Sequence, residues 1–320
     1  MIEKPHKPVQ WGFDWDGASD AVDLSSIGHA VGTTSSPLMR PTAAQVSPDS
    51  ASHWLREALG LPDGDTPFPW QEELLRRFAN GMIERSLDIP TGLGKTAIMT
   101  IWLVARAHGA ILPRRLVYIV DRRAVVDQAS DVAKGLRDWV DRDPEVRRAL
   151  GLGERSLPIS TLRGQHVDNK EWLEDPASPA IIVGTVDMIG SRLLFEGYGT
   201  TRKMRPYHAG LLGADTLVVL DESHLVPPFE SLLDSVFSGS SVFGPRDNAA
   251  RALIPPFKLL SLSATGRSQG GKAFGLQEAD LKPGSVVRRR LDAPKHLTVL
   301  PLLDDQTKLK DALAEQAWKL

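Results

Sequence analysis

A glycine-rich turn at residues 88–96 reads Asp-Ile-Pro-Thr-Gly-Leu-Gly-Lys-Thr. Gly92 and Gly94 permit a tight turn whose backbone N–H groups can approach triphosphate oxygens, and Lys95 adds a positive charge at the β- and γ-phosphates. The hydroxyl of Thr96 suits Mg²⁺, and a helix that starts there directs its positive dipole end at the phosphates. The turn therefore predicts a phosphate-binding loop between a strand and a helix.

The loop departs from the usual spacing, because the position six residues before Lys95 is Ile89 rather than glycine. Gly92 brings the glycine closer to the lysine, a variant typical of helicases rather than small GTPases. Thr91 and Leu93 complete the predicted nucleotide-binding set. The structural alternative is a glycine-rich turn with an incidental lysine.

A second motif follows the continuous apolar run at residues 216–220, which is expected of a strand buried on both faces of a parallel sheet. Asp221 and Glu222 come directly after it, and open α/β sheets bind ligands at the carboxyl ends of their strands. We expect Asp221 to hold Mg²⁺ and Glu222 to orient and deprotonate the attacking water. A helix N-cap followed by a first-turn Glu is the alternative for this pair. Together, the two motifs predict a nucleoside-triphosphate site that carries out phosphoryl transfer.

Composition restricts the class of protein. The 320 residues are 42% hydrophobic, carry a net charge of −2 and include no cysteine. This balance supports an ordinary core and argues against a polyanion-binding surface, so any nucleic-acid contact must come from local patches. Disulfides and thiolate metal sites are excluded, and no segment reads as a membrane span or signal peptide. The sequence predicts a soluble, cytoplasmic protein with no membrane partner.

Strand and helix patterns alternate along most of the chain. Strands are expected near residues 85–89, 116–120, 157–161, 180–184, 216–220 and 257–262. Helices are expected near residues 70–80, 95–108, 122–140, 185–195, 229–237 and 304–320. Residues 238–256 read as a loop or insertion. The alternation predicts an α/β fold with a mostly parallel, doubly wound sheet.

Short polar motifs lie near the starts or ends of these elements. In chain order they are Gln71, PTGLGKT at 90–96, DRR at 121–123, LRGQ at 162–165, VGTVD at 183–187, DESH at 221–224 and SLSAT at 261–265. Each one alone is also explained by loop polarity or helix capping. In this order they resemble the first RecA-like lobe of a superfamily 2 helicase of the DExH kind, over residues 65–320.

A narrower resemblance rests on three longer strings. They are RLLFEGYG at 192–199, MRPYHAGLLGAD at 204–215 and LDESHL at 220–225. They look like the CRISPR-associated helicase–nuclease of type I systems, in the subtype whose nuclease domain follows the helicase. This resemblance implies an ATP-dependent DNA helicase or translocase that unwinds target DNA for degradation in antiviral defence. It also implies an RNA-guided surveillance complex as a partner.

The resemblance assigns roles to individual residues. Gln71 would recognise adenine, and the loop up to Thr96 would grip the phosphates. The implied catalytic residues are Lys95, Asp221, Glu222 and His224. The residues implied to couple nucleotide state to strand grip are His224, Ser263 and Thr265. The residues implied to contact the backbone of single-stranded DNA are Arg123, Arg163, Gly164 and Thr185. ATP and Mg²⁺ are the implied cofactors.

The chain departs from the family pattern in two ways. Ser223 stands where the usual box has Ala or Cys, and only a short tail follows Thr265, whereas a second lobe needs on the order of 150 residues. An arginine-finger motif and a His-Asp nuclease dipeptide are both missing from the sequence. We therefore expect an irregular or disordered arm at 1–52, the ATP-binding lobe at 53–300 and the start of a second lobe at 301–320. The missing second lobe and nuclease domain would be its partners, and this chain would hydrolyse ATP weakly.

Two other functions remain open from the sequence. The missing arginine finger also fits a non-catalytic, one-lobed module that binds nucleotide or DNA. The same motor could instead act on RNA or belong to a restriction-type translocase, because the helicase motifs alone do not distinguish DNA from RNA.

Overall fold

The computed structural model describes residues 48–163, 166–167, 170–244, 247, 255–263, 273–294 and 306–318. Most of the predicted N-terminal arm therefore lies outside the described residues. Its last residues, 48–52, begin the first helix, and Trp54 and Leu55 of that helix are buried in the core.

Helices and strands alternate as the sequence predicts. The helices are α1 (Pro48–Ala58), α2 (Pro69–Ala79), α3 (Ile98–Ala107), α4 (Arg123–Arg142), α5 (Pro144–Ala149), α6 (Glu171–Glu174), α7 (Val186–Leu193), α8 (Arg205–Gly213), α9 (Pro227–Phe243), α10 (Val286–Leu291) and α11 (Gln306–Trp318). The strands are β1 (Ser86–Asp88), β2 (Arg115–Val120), β3 (Ile159–Arg163), β4 (His166–Val167), β5 (Ala180–Thr185), β6 (Thr216–Leu220), β7 (Lys258–Ser263) and β8 (Phe274–Gly275). Short 3-10 turns lie at Lys95–Ala97 and Ser223–Leu225.

The expectation of a loop from residue 238 is wrong for its first part, because α9 continues to Phe243. Leu233 is buried, and Val236 and Phe237 pack against the same cluster, so the predicted part of the helix has an apolar face on the sheet. Within the described ranges, no helix has the length and apolarity needed to cross a lipid bilayer.

The eight strands form one sheet in the order β4-β3-β5-β2-β6-β7-β1-β8. Every neighbouring pair is parallel except β3 with β4. The carboxyl ends of the parallel strands therefore meet along a single edge, which is where open α/β sheets bind their ligands.

Helices cover both faces of this sheet. Along β2, Leu116 and Tyr118 pack with the helices α1 to α5, whereas Val117 and Ile119 pack with α6 to α9. Strands buried on both faces carry nearly continuous apolar side chains, which explains why the central strands were readable in the sequence. The predicted α/β fold with a mostly parallel, doubly wound sheet is confirmed.

Candidate active site at the strand ends

The phosphate-binding loop leaves β1 through Leu87 and Ile89, both fully buried. Gly92 and Gly94 then have φ values of 84° and 75°, in the left-handed region that residues with a Cβ atom rarely adopt. The Leu93 side chain between them is buried and anchors the turn in the core. The glycines of the motif are therefore required by the backbone path of the loop.

Gln71 of α2 lies against this loop. A Cβ atom on Gly94 would stand 3.2 Å from the Nε2 atom of Gln71. The Oε1 atom of Gln71 accepts a hydrogen bond from the Phe68 N–H at 2.9 Å, which fixes the orientation of the buried amide. The structure thus brings the predicted adenine-recognising residue to the predicted phosphate-binding loop.

Lys95 joins the two sequence motifs. Its side chain is only 8% exposed, and its Nζ atom donates a hydrogen bond to Oε1 of Glu222 at 2.7 Å. The other oxygen, Oε2, lies 3.4 Å from Nδ1 of His224. A buried ammonium group needs an anionic partner, so triphosphate oxygens would compete with Glu222 for Lys95.

The backbone of Glu222 is strained. Its φ of 48° and ψ of 47° lie in the left-handed region, where residues other than glycine are uncommon. The Glu222 N–H donates to Oδ1 of the preceding Asp221 at 3.0 Å, which supports this turn. Such strain costs on the order of 1–3 kcal/mol and is concentrated at functional sites. Here it accompanies the turn that brings the Glu222 carboxylate to Lys95.

Tyr118 of β2 is a site residue that the sequence analysis missed. Its hydroxyl donates to Oδ2 of Asp221 at 2.8 Å, and the side chain of Thr96 lies near the same hydroxyl. Burial, followed by the nearby charge of Asp221, raises the pKa of Tyr118 well above its usual value, so the phenol stays protonated. Burial likewise raises the pKa of Asp221, against the effect of the Tyr118 hydrogen bond.

The signal for Tyr118 was present in the sequence. It is the one side chain with a hydroxyl in the run from Leu116 to Val120. A fully buried tyrosine usually has a hydrogen-bond partner for its hydroxyl. Tyr118 therefore indicates a polar side chain at the end of a strand beside β2 in the sheet.

The side chains at this edge of the sheet are suited to bind a triphosphate together with Mg²⁺. Thr96 and Asp221 meet at one hydroxyl, and both offer the oxygen ligands that Mg²⁺ prefers. The described residues contain no group of three or more His, Asp or Glu side chains that would form a metal site by themselves. Mg²⁺ usually takes one or two carboxylates and completes its shell with water and substrate phosphates.

Ser263 ends β7 close to the same edge. It is in register with Asp88 of β1, and together with Ser223 it lines a cavity of about 50 Å³. The structure therefore brings one of the predicted coupling residues beside the 3-10 turn that carries His224. The other, Thr265, lies outside the described residues, as does Gly164 of the predicted nucleic-acid set.

The remaining nucleic-acid candidates follow β2, β3 and β5, which are neighbours in the sheet. Val120 is in register with Thr185, so the ends of β2 and β5 lie side by side. Arg123 is exposed in the first turn of α4, whereas Arg163 forms an ion pair with Asp127 and Thr185 is buried. Of these three candidates, only Arg123 is exposed and has no ion pair within the described residues.

A family model for the res subunit of type III restriction enzymes, ResIII, matches residues 65–267, more than half of the chain. The chain belongs to the ResIII family. The match includes Gln71, the phosphate-binding loop and the Asp221–Glu222 pair. This ResIII chain is a helicase-type, nucleotide-binding domain.

A comparison of the ResIII chain with curated proteins gives no match. Among solved structures, the chain is similar to the Mycobacterium smegmatis helicase Lhr bound to single-stranded DNA and AMP-PNP, with 19% identity and a TM-score of 0.44. The similarity covers 68% of this chain and 25% of the Lhr chain. The chain thus spans about a quarter of the length of that helicase.

Proposed function

We propose that this chain is the first motor lobe of an ATP-dependent DNA helicase or translocase. The observation that carries the proposal is the connected set at the ends of β1 and β6. Lys95 pairs with Glu222, and Tyr118 donates to Asp221 near Thr96. These are the residue types that bind a triphosphate and activate water, and they lie in contact although they come from distant parts of the chain.

Each residue of the set has a distinct task. Lys95 exchanges the carboxylate of Glu222 for phosphate oxygens when ATP binds, which releases Glu222 to accept a proton from the attacking water. Thr96 and Asp221 are the residues that would hold Mg²⁺, which neutralises charge on the phosphate oxygens when bound. Tyr118 keeps the Asp221 carboxylate oriented.

The adjacent strand ends are the proposed track for single-stranded DNA. Arg123 and Arg163 supply positive charge there, and Thr185 and Gly164 complete the set proposed from the sequence. Contacts to phosphates bind without reading sequence, which suits a motor that must move along any strand.

The biological setting is a finer proposal. The strings at 192–199, 204–215 and 220–225 support a role in type I CRISPR interference, with an RNA-guided surveillance complex as partner. In that setting residues 53–300 are the ATP-binding lobe and residues 301–320 begin the second lobe. The second lobe and a nuclease domain would complete a cytoplasmic enzyme.

The ResIII match favours a restriction-type translocase as the second candidate. A comparison of single-stranded DNA with RNA of the same sequence as activators of ATP hydrolysis separates a DNA motor from an RNA helicase, since proteins distinguish the two through the 2′-OH.

Titration of this chain with a fluorescent ATP analogue, with and without Mg²⁺, tests the proposal. We expect saturable binding that Mg²⁺ strengthens and hydrolysis that is very slow, because an arginine from a second lobe can contribute 10³–10⁵ in rate. An absence of nucleotide binding would contradict the proposal. Rapid DNA-stimulated turnover by the monomer would contradict the need for a second lobe.

A further inference from the structure

Strand β8, which follows β7 in the chain, lies next to the strand that leads into the proposed nucleotide site. Strand β8 pairs with β1 in parallel, with Leu87 opposite Phe274 and Asp88 opposite Gly275. Because β1 leads into the phosphate-binding loop, the parallel β8 delivers the chain to that same edge of the sheet. The residues after Gly275 therefore start next to the loop.

The segment from Gly275 to α10 is fixed on α2. The Asp280 carboxylate is fully buried and accepts hydrogen bonds from the Gln277 N–H at 2.7 Å and the Trp70 N–H at 3.4 Å. Val287 of α10 is also buried and belongs to the same core cluster as Trp70. The segment is thus anchored to the helix that carries Gln71.

A capping interaction sets the start of α10. The Ser285 hydroxyl accepts a hydrogen bond from the Arg288 N–H at 3.0 Å, as expected of an N-cap serine. With Val287 buried, the three consecutive arginines at 288–290 are exposed. One of them, Arg290, contacts the predicted phosphate-binding loop.

Arg290 bridges the two parts of the site that would hold the phosphates and the base. Its Nη1 atom donates to the carbonyl oxygen of Gly92 at 3.0 Å, and its Cζ atom lies 5.5 Å from the centroid of the Phe68 ring. The Phe68 N–H is in turn bonded to Gln71. Among the described residues, no carboxylate forms an ion pair with Arg290. An exposed guanidinium without an anion therefore lies on the loop predicted to hold an anion.

We propose that Arg290 is a nucleotide-binding residue that contacts the phosphates on the side nearest the base. This inference rests on the proposed function of the site. A guanidinium group binds phosphate oxygens with two parallel hydrogen bonds, which are stronger than its bond to a neutral carbonyl. The Phe68 ring and the Gly92 carbonyl hold the guanidinium in place for that contact.

The test compares Arg290→Ala with Arg289→Ala, its exposed neighbour on the same short helix. Equilibrium titration with ATP, ADP and adenosine should show about tenfold weaker binding of ATP and ADP by Arg290→Ala, because one charge-assisted contact is lost. Adenosine affinity should be unchanged, and Arg289→Ala should remain within about twofold of the unmodified chain for all three ligands. Arg290→Lys retains the charge but loses the paired hydrogen-bond geometry. Its ATP affinity should therefore lie between those of Arg290→Ala and Arg289→Ala.

Several results would overturn the inference. Unchanged or tighter ATP binding by Arg290→Ala would show that Arg290 does not contact the nucleotide, and equal losses in both variants would indicate a general charge effect. A Lys95→Ala variant measured in parallel separates the two proposals. If Lys95→Ala loses binding and Arg290→Ala does not, only the role of Arg290 fails; if the unmodified chain binds no nucleotide, both fail.

Discussion

The two halves of the strand-end edge are built differently. At the ends of β1 and β6, Lys95 is almost fully buried and paired with Glu222, and the buried Tyr118 orients Asp221. At the ends of β2 and β3, the proposed nucleic-acid residues Arg123 and Arg163 are exposed or partly exposed. Charges interact strongly where water is excluded, whereas surface ion pairs contribute about 0–1 kcal/mol and are screened by salt.

This difference agrees with different proposed functions for the two halves. The nucleotide half has a fixed geometry, which chemistry requires, so single substitutions there should have large effects that depend little on salt. The half proposed to bind nucleic acid carries adjustable surface charge, so substitutions there should have small, additive and salt-dependent effects.

Lys95→Ala should have the largest effect on nucleotide binding. The variant loses the ammonium group proposed to bind the β- and γ-phosphates and leaves Glu222 without its cation, so we expect ATP affinity to fall about 100-fold. Titration calorimetry at low and high salt measures the ATP affinity of the variant. Lys134→Ala, which removes an exposed lysine of α4 paired with Asp131, is the matched control and should leave the affinity unchanged. A similar loss in both variants would contradict the claim of a specific site.

Tyr118→Phe should have an intermediate effect. The ring stays and fills the same space, but Asp221 loses a buried hydrogen bond, so the free energy of unfolding should fall by about 1–3 kcal/mol. We also expect a higher Mg²⁺ concentration to be needed for ATP binding. Urea unfolding and a Mg²⁺ titration measure the two effects. If stability falls while the Mg²⁺ dependence is unchanged, Tyr118 contributes to the fold and not to the site.

Arg123→Ala and Arg163→Ala should have the smallest effects, and these should depend on salt. Each should weaken binding of single-stranded DNA and lower the slope of log K against log salt by about 0.7, the value expected for one lost phosphate contact. Arg163 is already paired with Asp127, so its substitution should matter less than that of Arg123. Arg148→Ala, an exposed arginine of α5, is the control. An unchanged slope in both test variants would place the track elsewhere.

The sequence predicted those features that depend on local chemistry. The apolar run at 216–220 and the spacing of Gly92 and Gly94 determine a buried strand and a tight turn through neighbouring residues alone. Both appear in the structure where they were expected. The sharing of one site by the two motifs followed from the rule that parallel strands present their carboxyl ends at one edge, whereas the direct contact between Lys95 and Glu222 was not predicted.

Features that depend on distant partners were not predicted. Tyr118 meets Asp221 across 103 positions, and Arg290 meets Gly92 across 198 positions. Neither pairing has a local pattern, because both arise from the packing of separate elements. The extension of α9 to Phe243 was also missed, because the Ser-Gly-Ser-Ser string at 238–241 has a low helix propensity.

The central claim is that Glu222 and the phosphates of ATP compete for Lys95, and that Glu222 then acts on water. Glu222→Gln tests both parts in one sample, by ATP affinity and by single-turnover hydrolysis in the enzyme completed by its second lobe. The account predicts equal or higher ATP affinity together with hydrolysis slowed by about 10²–10⁴. A loss of affinity with hydrolysis unchanged at saturating ATP would contradict it.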